Sequence, residues 1–154
     1  MMKNLLSLLL WPLRLALYQY SVGVQNAKLD AVETTIGTGP LLKIFSGAEP
    51  ANCAAADPAG LLVTITLPSD WMTNAAAGVK DKTGAWSAAA TGAGNAASFR
   101  IYDSTGATCH VQGNVTATGG GGDMTVDNVN IAVGQIVTVT GATGNGFRIT
   151  AGNA

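Results

Sequence analysis

Charge is what this chain has least of. Only 11% of its 154 residues are Asp, Glu, Lys or Arg, against roughly 25% in an average globular protein. Eight basic and nine acidic residues leave a formal net charge of −1. That balance argues against a nucleic-acid binder, whose affinity comes mainly from neutralising phosphates. There is one histidine, so no site that needs two imidazoles, the His-Glu-x-x-His zinc motif included, can be built within the chain. The low charge fraction together with 47% apolar residues also excludes a disordered acidic tail. In place of charge the chain carries 25 Ala, 20 Gly and 17 Thr, within a length that suits one domain.

The missing charge is not spread evenly. From Ser104 to Gly146 there is no Lys or Arg, and the only acids are Asp123 and Asp127. A surface so poor in charge is weakly protected against association, which points to cover by a partner or to solubility maintained by Thr, Asn and Gln. Residues 1–21 differ again. The run Leu5–Trp11 follows Lys3, is broken by Pro12 and Arg14, and resumes at Leu15–Tyr18. A transmembrane helix would need about 20 apolar residues, and Arg14 near its middle would cost roughly 2.5–3.5 kcal/mol, so a membrane anchor is disfavoured. A secretory signal would have Lys3 as its charged start and Leu5–Trp11 as a short apolar core, but no Ala-x-Ala cleavage site follows. The leading reading is an arm that docks on a partner, with Leu8, Leu9, Trp11, Leu15 and Tyr18 as contact residues. A non-native or dispensable extension stays open.

Apolar residues at helical spacing (Val22, Leu29, Val32, Ile36) predict one helix over 22–37, with Gly37 as its stop. From there to residue 154 the period changes to two. Leu42 and Ile44 alternate with Leu41, Lys43 and Phe45. Leu61, Val63, Ile65 and Leu67 are expected on one strand face and Leu62, Thr64 and Thr66 on the other, with Pro68 as terminator. Residues 50–58 read as a loop. The Ala-Gly-rich stretch 74–97 supports at most one strand, centred on Trp86. Phe99 and Ile101 alternate with Arg100 and Tyr102, and Cys109, Val111, Gly113 and Val115 are expected to share a face. Gly119–Gly122 reads as a hairpin turn. Strands follow at Met124–Val126, at Ile131 with Val133, at 136–140 and at 147–150, with 141–146 as a turn. One helix followed by seven to eight short strands predicts a mainly β fold, an antiparallel β-sandwich or small barrel. Its edges would invite pairing with another chain.

Chemistry finds little support. His110 lies in a strand pattern, and no Gly-x-Ser-x-Gly elbow accompanies it. Cys109 and His110 are adjacent, so in a regular strand they point to opposite faces. Cys53 and Cys109 allow one intrachain pairing. Two buried free thiols are expected if the chain works in reducing cytoplasm. Gly119–Gly122 lacks the Lys-Ser/Thr ending of a phosphate loop. Asp123 and Asp127 supply too few oxygens for calcium and read as solvated strand carboxylates. No catalytic, metal or cofactor site is expected. Trp71 and Trp86 are the candidate core or interface anchors.

Several segments together carry a resemblance: Ser98-Phe99-Arg100-Ile101-Tyr102-Asp103, Cys109-His110-Val111-Gln112-Gly113, Gly121-Gly122-Asp123-Met124 and Val133–Thr140. The opening Gln25–Val32, the strand Leu41–Gly47 and the ending Ile149–Ala154 extend it. The chain resembles small structural proteins of tailed bacteriophages and prophages, decoration or minor capsid proteins, over roughly residues 22–154; residues 1–21 lie outside the resemblance. It implies a non-enzymatic virion protein, assembled in host cytoplasm, whose partners are the major capsid protein or other virion subunits and which forms a homo-oligomer, a trimer by analogy. A tail- or fibre-associated adhesion module and a secreted bacterial β-domain are the alternatives.

Overall fold

The computed structural model describes residues 19–139 and 146–151. The chain is mainly β, one helix followed by strands in curled sheets that are antiparallel but for one strand pair, in keeping with a β-sandwich or small barrel.

Helix α1 (Val22–Ile36) starts at Ser21, whose hydroxyl accepts from the Val24 amide, and stops at Gly37, which turns to φ 84° and returns its amide to the Glu33 carbonyl. Positive φ is what makes glycine suitable there. Leu29 and Ile36 are buried, as the spacing predicts, but Val22 is exposed. The hydrogen bonds that fasten the helix to segment 72–80 come from further along, at Asn26, Asp30 and Glu33. These three residues form a polar stripe at i, i+4 and i+7, one face of the helix. Asn26 accepts from the Gly78 amide, Asp30 from Ala75 and Glu33 from Met72. The stripe also meets Lys80, which is buried and pairs with Asp30 at 2.7 Å and Glu33 at 2.9 Å.

The main sheet has the order β2 (Leu61–Thr66), β1 (Leu41–Phe45), β6 (Ser98–Tyr102), β7 (Cys109–Ala117), β8 (Met124–Val126). Three short pairs complete it: β4 (Trp86–Ala89) with β10 (Ile136–Val139), β3 (Val79–Asp81) with β11 (Arg148–Thr150), and β5 (Gly94–Asn95) with β9 (Asn130–Ile131). Ile44, Phe99, Leu42 and Ile101 form cross-strand pairs on the inner face and join Trp71, Trp86, Met124 and Phe147 in one core. The stretch 74–97 holds three strands rather than one. β3 and β5 were invisible in the Ala-Gly pattern because their order comes from tertiary partners: the helix stripe and β11 for β3, and β9 for β5.

Four other expectations change. A β-bulge pairs Phe45 with Leu61 directly after Ile44 with Val63, skipping Leu62. The extra residue flips the alternation, so Leu62 is buried and Leu61 is 43% exposed. A second bulge pairs Tyr102 with Cys109 directly after Ile101 with Val111, skipping His110. Cys109 thereby leaves the face of Val111 and joins that of Arg100 and Tyr102. Third, Gly119–Gly122 is not a hairpin turn, since β8 runs parallel to β7, Val115 facing Met124. The chain doubles back along β7, with Gly119 and Gly121 at positive φ and the Gly122 amide bonded to the Thr116 hydroxyl. Asp123 and Asn114 exchange side-chain-to-amide bonds at 3.1 Å, so Asp123 closes this loop rather than simply facing solvent. Fourth, Val133 lies outside β9 and is 68% exposed. The expected turn at 141–146 lies almost wholly outside the described residues.

Candidate functional site

Trp71 and Trp86 are core residues, 1% and 0% exposed. Their rings lie 6.0 Å apart, and Phe147 stacks 5.7 Å beyond Trp86. Each indole N–H is satisfied within the chain, Trp71 by the Gly37 carbonyl at 3.1 Å and Trp86 by Thr83 at 3.0 Å. They anchor the helix end and β4 from inside and present nothing to a partner. The five arm residues, Leu8, Leu9, Trp11, Leu15 and Tyr18, lie outside the described residues.

Among the described residues, three large apolar side chains stand exposed near one another in the fold of β2, β4 and β10. Val133 and Ile136 are 68% and 63% exposed, and Leu61 is 43% exposed. The segment Ala89–Gly92 connects them: Ile136 pairs with Ala89, Gly134 donates to the Ala90 carbonyl, and Thr91 and Gly92 both donate to the Leu62 carbonyl. Gly92 passes so close that an added Cβ would stand 2.3 Å from the Leu61 carbonyl oxygen. The outward row of β10 and β4 continues with Thr138 hydrogen-bonded to Ser87 at 2.9 Å. No Lys, Arg, Asp or Glu occurs in 87–92 or 132–138. The positions of Leu61 and Val133 are not legible from spacing: a bulge turns Leu61 outward, and Val133 lies beyond the end of β9. Ile136 sits where simple alternation places an outward residue.

The outer face of the main sheet carries a polar cluster around Arg100. Arg100 lies mid-strand in β6, 1% exposed, between cross-strand neighbours Lys43 and Gln112. Its guanidinium donates to the Ala55, Asn52 and Cys53 carbonyls at 3.0 Å, to Gln112 at 3.2 Å and to the Asp57 carboxylate at 2.7 Å. Gln112 in turn donates to the Pro50 carbonyl at 2.6 Å. One side chain thus fastens most of the 50–58 loop over the sheet. Tyr102 donates its hydroxyl to the same Asp57 carboxylate. Burial alone would raise the pKa of Asp57, but the Tyr102 and Arg100 hydrogen bonds and the nearby Lys43 charge outweigh it, so it falls below the usual carboxylate range. Tyr102 is pushed well above its ordinary value by burial and by Asp57. This is an electrostatic latch, and it leaves Arg100 Nε buried without a partner.

Beside the latch lies an open cleft of about 570 Å³ lined by Cys53, Asp57, Arg100, Tyr102 and Cys109. Both cysteines are free and half-buried rather than fully buried. Burial, and then the adjacent Cys53 thiol, push Cys109 up to about 12. Spacing alone does not reveal the cleft; the one signal for it is the arginine within a largely apolar strand, which requires something polar to cover it. A smaller groove of about 310 Å³ runs between α1 and His110 with Val111. Among the described residues no group of three or more His, Cys, Asp or Glu is arranged to hold a metal, and no helix is long and apolar enough to cross a membrane. Comparison with protein-family models, with curated proteins and with solved structures finds no match to this chain.

Proposed function

We propose that this chain is a structural protein of a tailed-bacteriophage virion, a capsid decoration or minor capsid protein that binds and stabilises the head shell and is not an enzyme. The observation that carries the reading is the exposure of Leu61, Val133 and Ile136 beside the charge-free segments 87–92 and 132–138. Exposed apolar patches on a small domain mark surfaces that another subunit covers, and charged residues are depleted from interface cores. The resemblance of residues 22–154 to phage structural proteins supplies the kind of partner, the major capsid protein or another virion subunit. The mechanism is mass action. A domain that binds the assembled shell and not its free subunits lowers the free energy of the assembled state. The apolar arm, residues 1–21, is a second attachment element in this reading, and a homotrimer the expected state.

The deciding experiment is a cryo-EM map of the purified particle, combined with counting of the chain per head by quantitative mass spectrometry. Density on the head shell at a copy number matching its symmetry supports the reading. Density on the tail, or a chain recovered only outside particles, overturns it. Removing residues 1–21 should lower head occupancy; unchanged occupancy removes the arm from the mechanism. Light scattering of the free chain reports the oligomeric state, and a monomer at micromolar concentration argues against the trimer.

A further inference from the structure

Cys53 and Cys109 come from parts of the chain that the fold alone brings together. Cys53 belongs to the loop that Arg100 holds, its carbonyl 3.0 Å from the guanidinium. Cys109 opens β7 and reaches the same cleft because the bulge turns it to the Tyr102 side of the sheet. Had the strand kept regular alternation through His110, the thiol would stand on the other face, and the pair would not exist. Both cysteines are free, and the two thiols adjoin one another in a cleft open to small molecules. Cys109 also donates weakly to the Val111 carbonyl at 3.5 Å.

We propose that Cys53 and Cys109 are a redox pair that closes into an intrachain disulfide on meeting an oxidising small-molecule disulfide, locking the 50–58 loop onto β7. With oxidised glutathione the exchange runs in two steps. The Cys53 thiol gives its proton to solvent and attacks one glutathione sulfur. The glutathione S–S bond breaks, a mixed disulfide forms at Cys53, and one glutathione leaves as its thiol after taking up a proton. Cys109 then loses its proton and attacks the Cys53 sulfur, expelling the second glutathione. Two protein thiols are oxidised and one oxidised glutathione is reduced to two thiols. Cys53 is the entry point because burial holds the proton on Cys109, and the thiolate is the nucleophile. The nearby guanidinium of Arg100 partly offsets the effect of burial on Cys109, whose thiolate the second step requires. In a reducing compartment the pair stays open, and in an oxidising one it closes.

The test is equilibration of the native chain in buffers of increasing oxidised-to-reduced glutathione ratio. The expected product is a monomer-linked species two hydrogens lighter, with free thiols falling from two to none and a 53–109 cross-link in the peptide map. Closing so long a loop should raise Tm on the order of 10 °C, reversed by reductant. Cys109→Ser should instead stop at a mixed disulfide on Cys53. The proposal is overturned if both thiols persist in the folded chain at ratios that oxidise them after urea unfolding, if the cross-link forms between chains, or if the oxidised chain melts lower than the reduced one. Because the wild-type chain carries the main readout, a variant that fails to fold leaves the result intact.

Discussion

Arg100 shows how much one side chain can organise. A guanidinium is planar, permanently charged and offers five donors, which suits a loop that presents three carbonyls and a carboxylate from different directions. Replacing it by alanine should cost about 3 kcal/mol, the lower end for breaking a buried ion pair. The lower end applies because the Asp57 side chain is 41% exposed and can rehydrate, while the Asn52, Cys53 and Ala55 carbonyls lose their partner. Urea unfolding measures this, and a loss under 1 kcal/mol would show that the loop holds itself. The same latch sets a pH dependence. Asp57 and Asp30 both have folded pKa values below their ordinary ones, Asp30 through its bond from Lys80 and the Ala75 amide. Groups depressed by folding contribute stability that is complete above their unfolded pKa, about 3.9, and is lost as pH falls through the folded value. The urea midpoint should therefore hold between pH 7 and 5 and drop below pH 4, with Asp57→Asn showing a shallower drop. A midpoint flat down to pH 2.5 would contradict the latch.

At the scale of elements, the readable parts were those in which local pattern and tertiary environment agree. Helix α1 and its glycine stop, β1, the central strand β6 and the alternation of β10 all follow from spacing. The failures have physical causes. Each bulge adds one residue and reverses every inference made beyond it, which is why Leu61 and Cys109 were placed on the wrong faces. Both residues belong to the candidate sites, so the departures from regular strand geometry coincide with them. Within 74–97, β3 depends on the side chains of Asn26, Asp30 and Glu33, which spacing alone presents as a solvated helix face, and β5 on its pairing with β9. The turn between Ala76 and Val79 gives an element-scale prediction. It places Ala77 at φ 51° and Gly78 at φ 74°, the two positive values of a type I′ hairpin, where Asn-Gly is preferred. Alanine is strained in that region. Ala77→Asn should stabilise the chain by about 0.5–1 kcal/mol, read as a higher urea midpoint at unchanged slope. Destabilisation would mean that the hairpin does not hold these angles.

For the whole molecule the deciding feature is where charge is placed. The outer face of the main sheet concentrates Lys43, Asp57 and Arg100 in a latch that closes on itself, and the helix spends Asp30 and Glu33 on Lys80. The segments 87–92 and 132–138, which build the face of β4 and β10, carry no charged residue. If that face is a contact surface, adding charge there should abolish contact and leave the fold intact. Ile136→Lys and Val133→Lys, at positions 63% and 68% exposed, should each change unfolding free energy by no more than about 0.5 kcal/mol, as surface substitutions do. Burying a lysine in an apolar contact leaves its charge unpaired, so association should weaken by at least about tenfold, a difference of 1.4 kcal/mol. Sedimentation velocity of the free chain and head occupancy in particles report the two kinds of contact separately. Loss of self-association with normal occupancy assigns the face to the oligomer, and the reverse assigns it to the shell. Unchanged behaviour in both would remove this face from the assembly and leave the N-terminal arm as the attachment element.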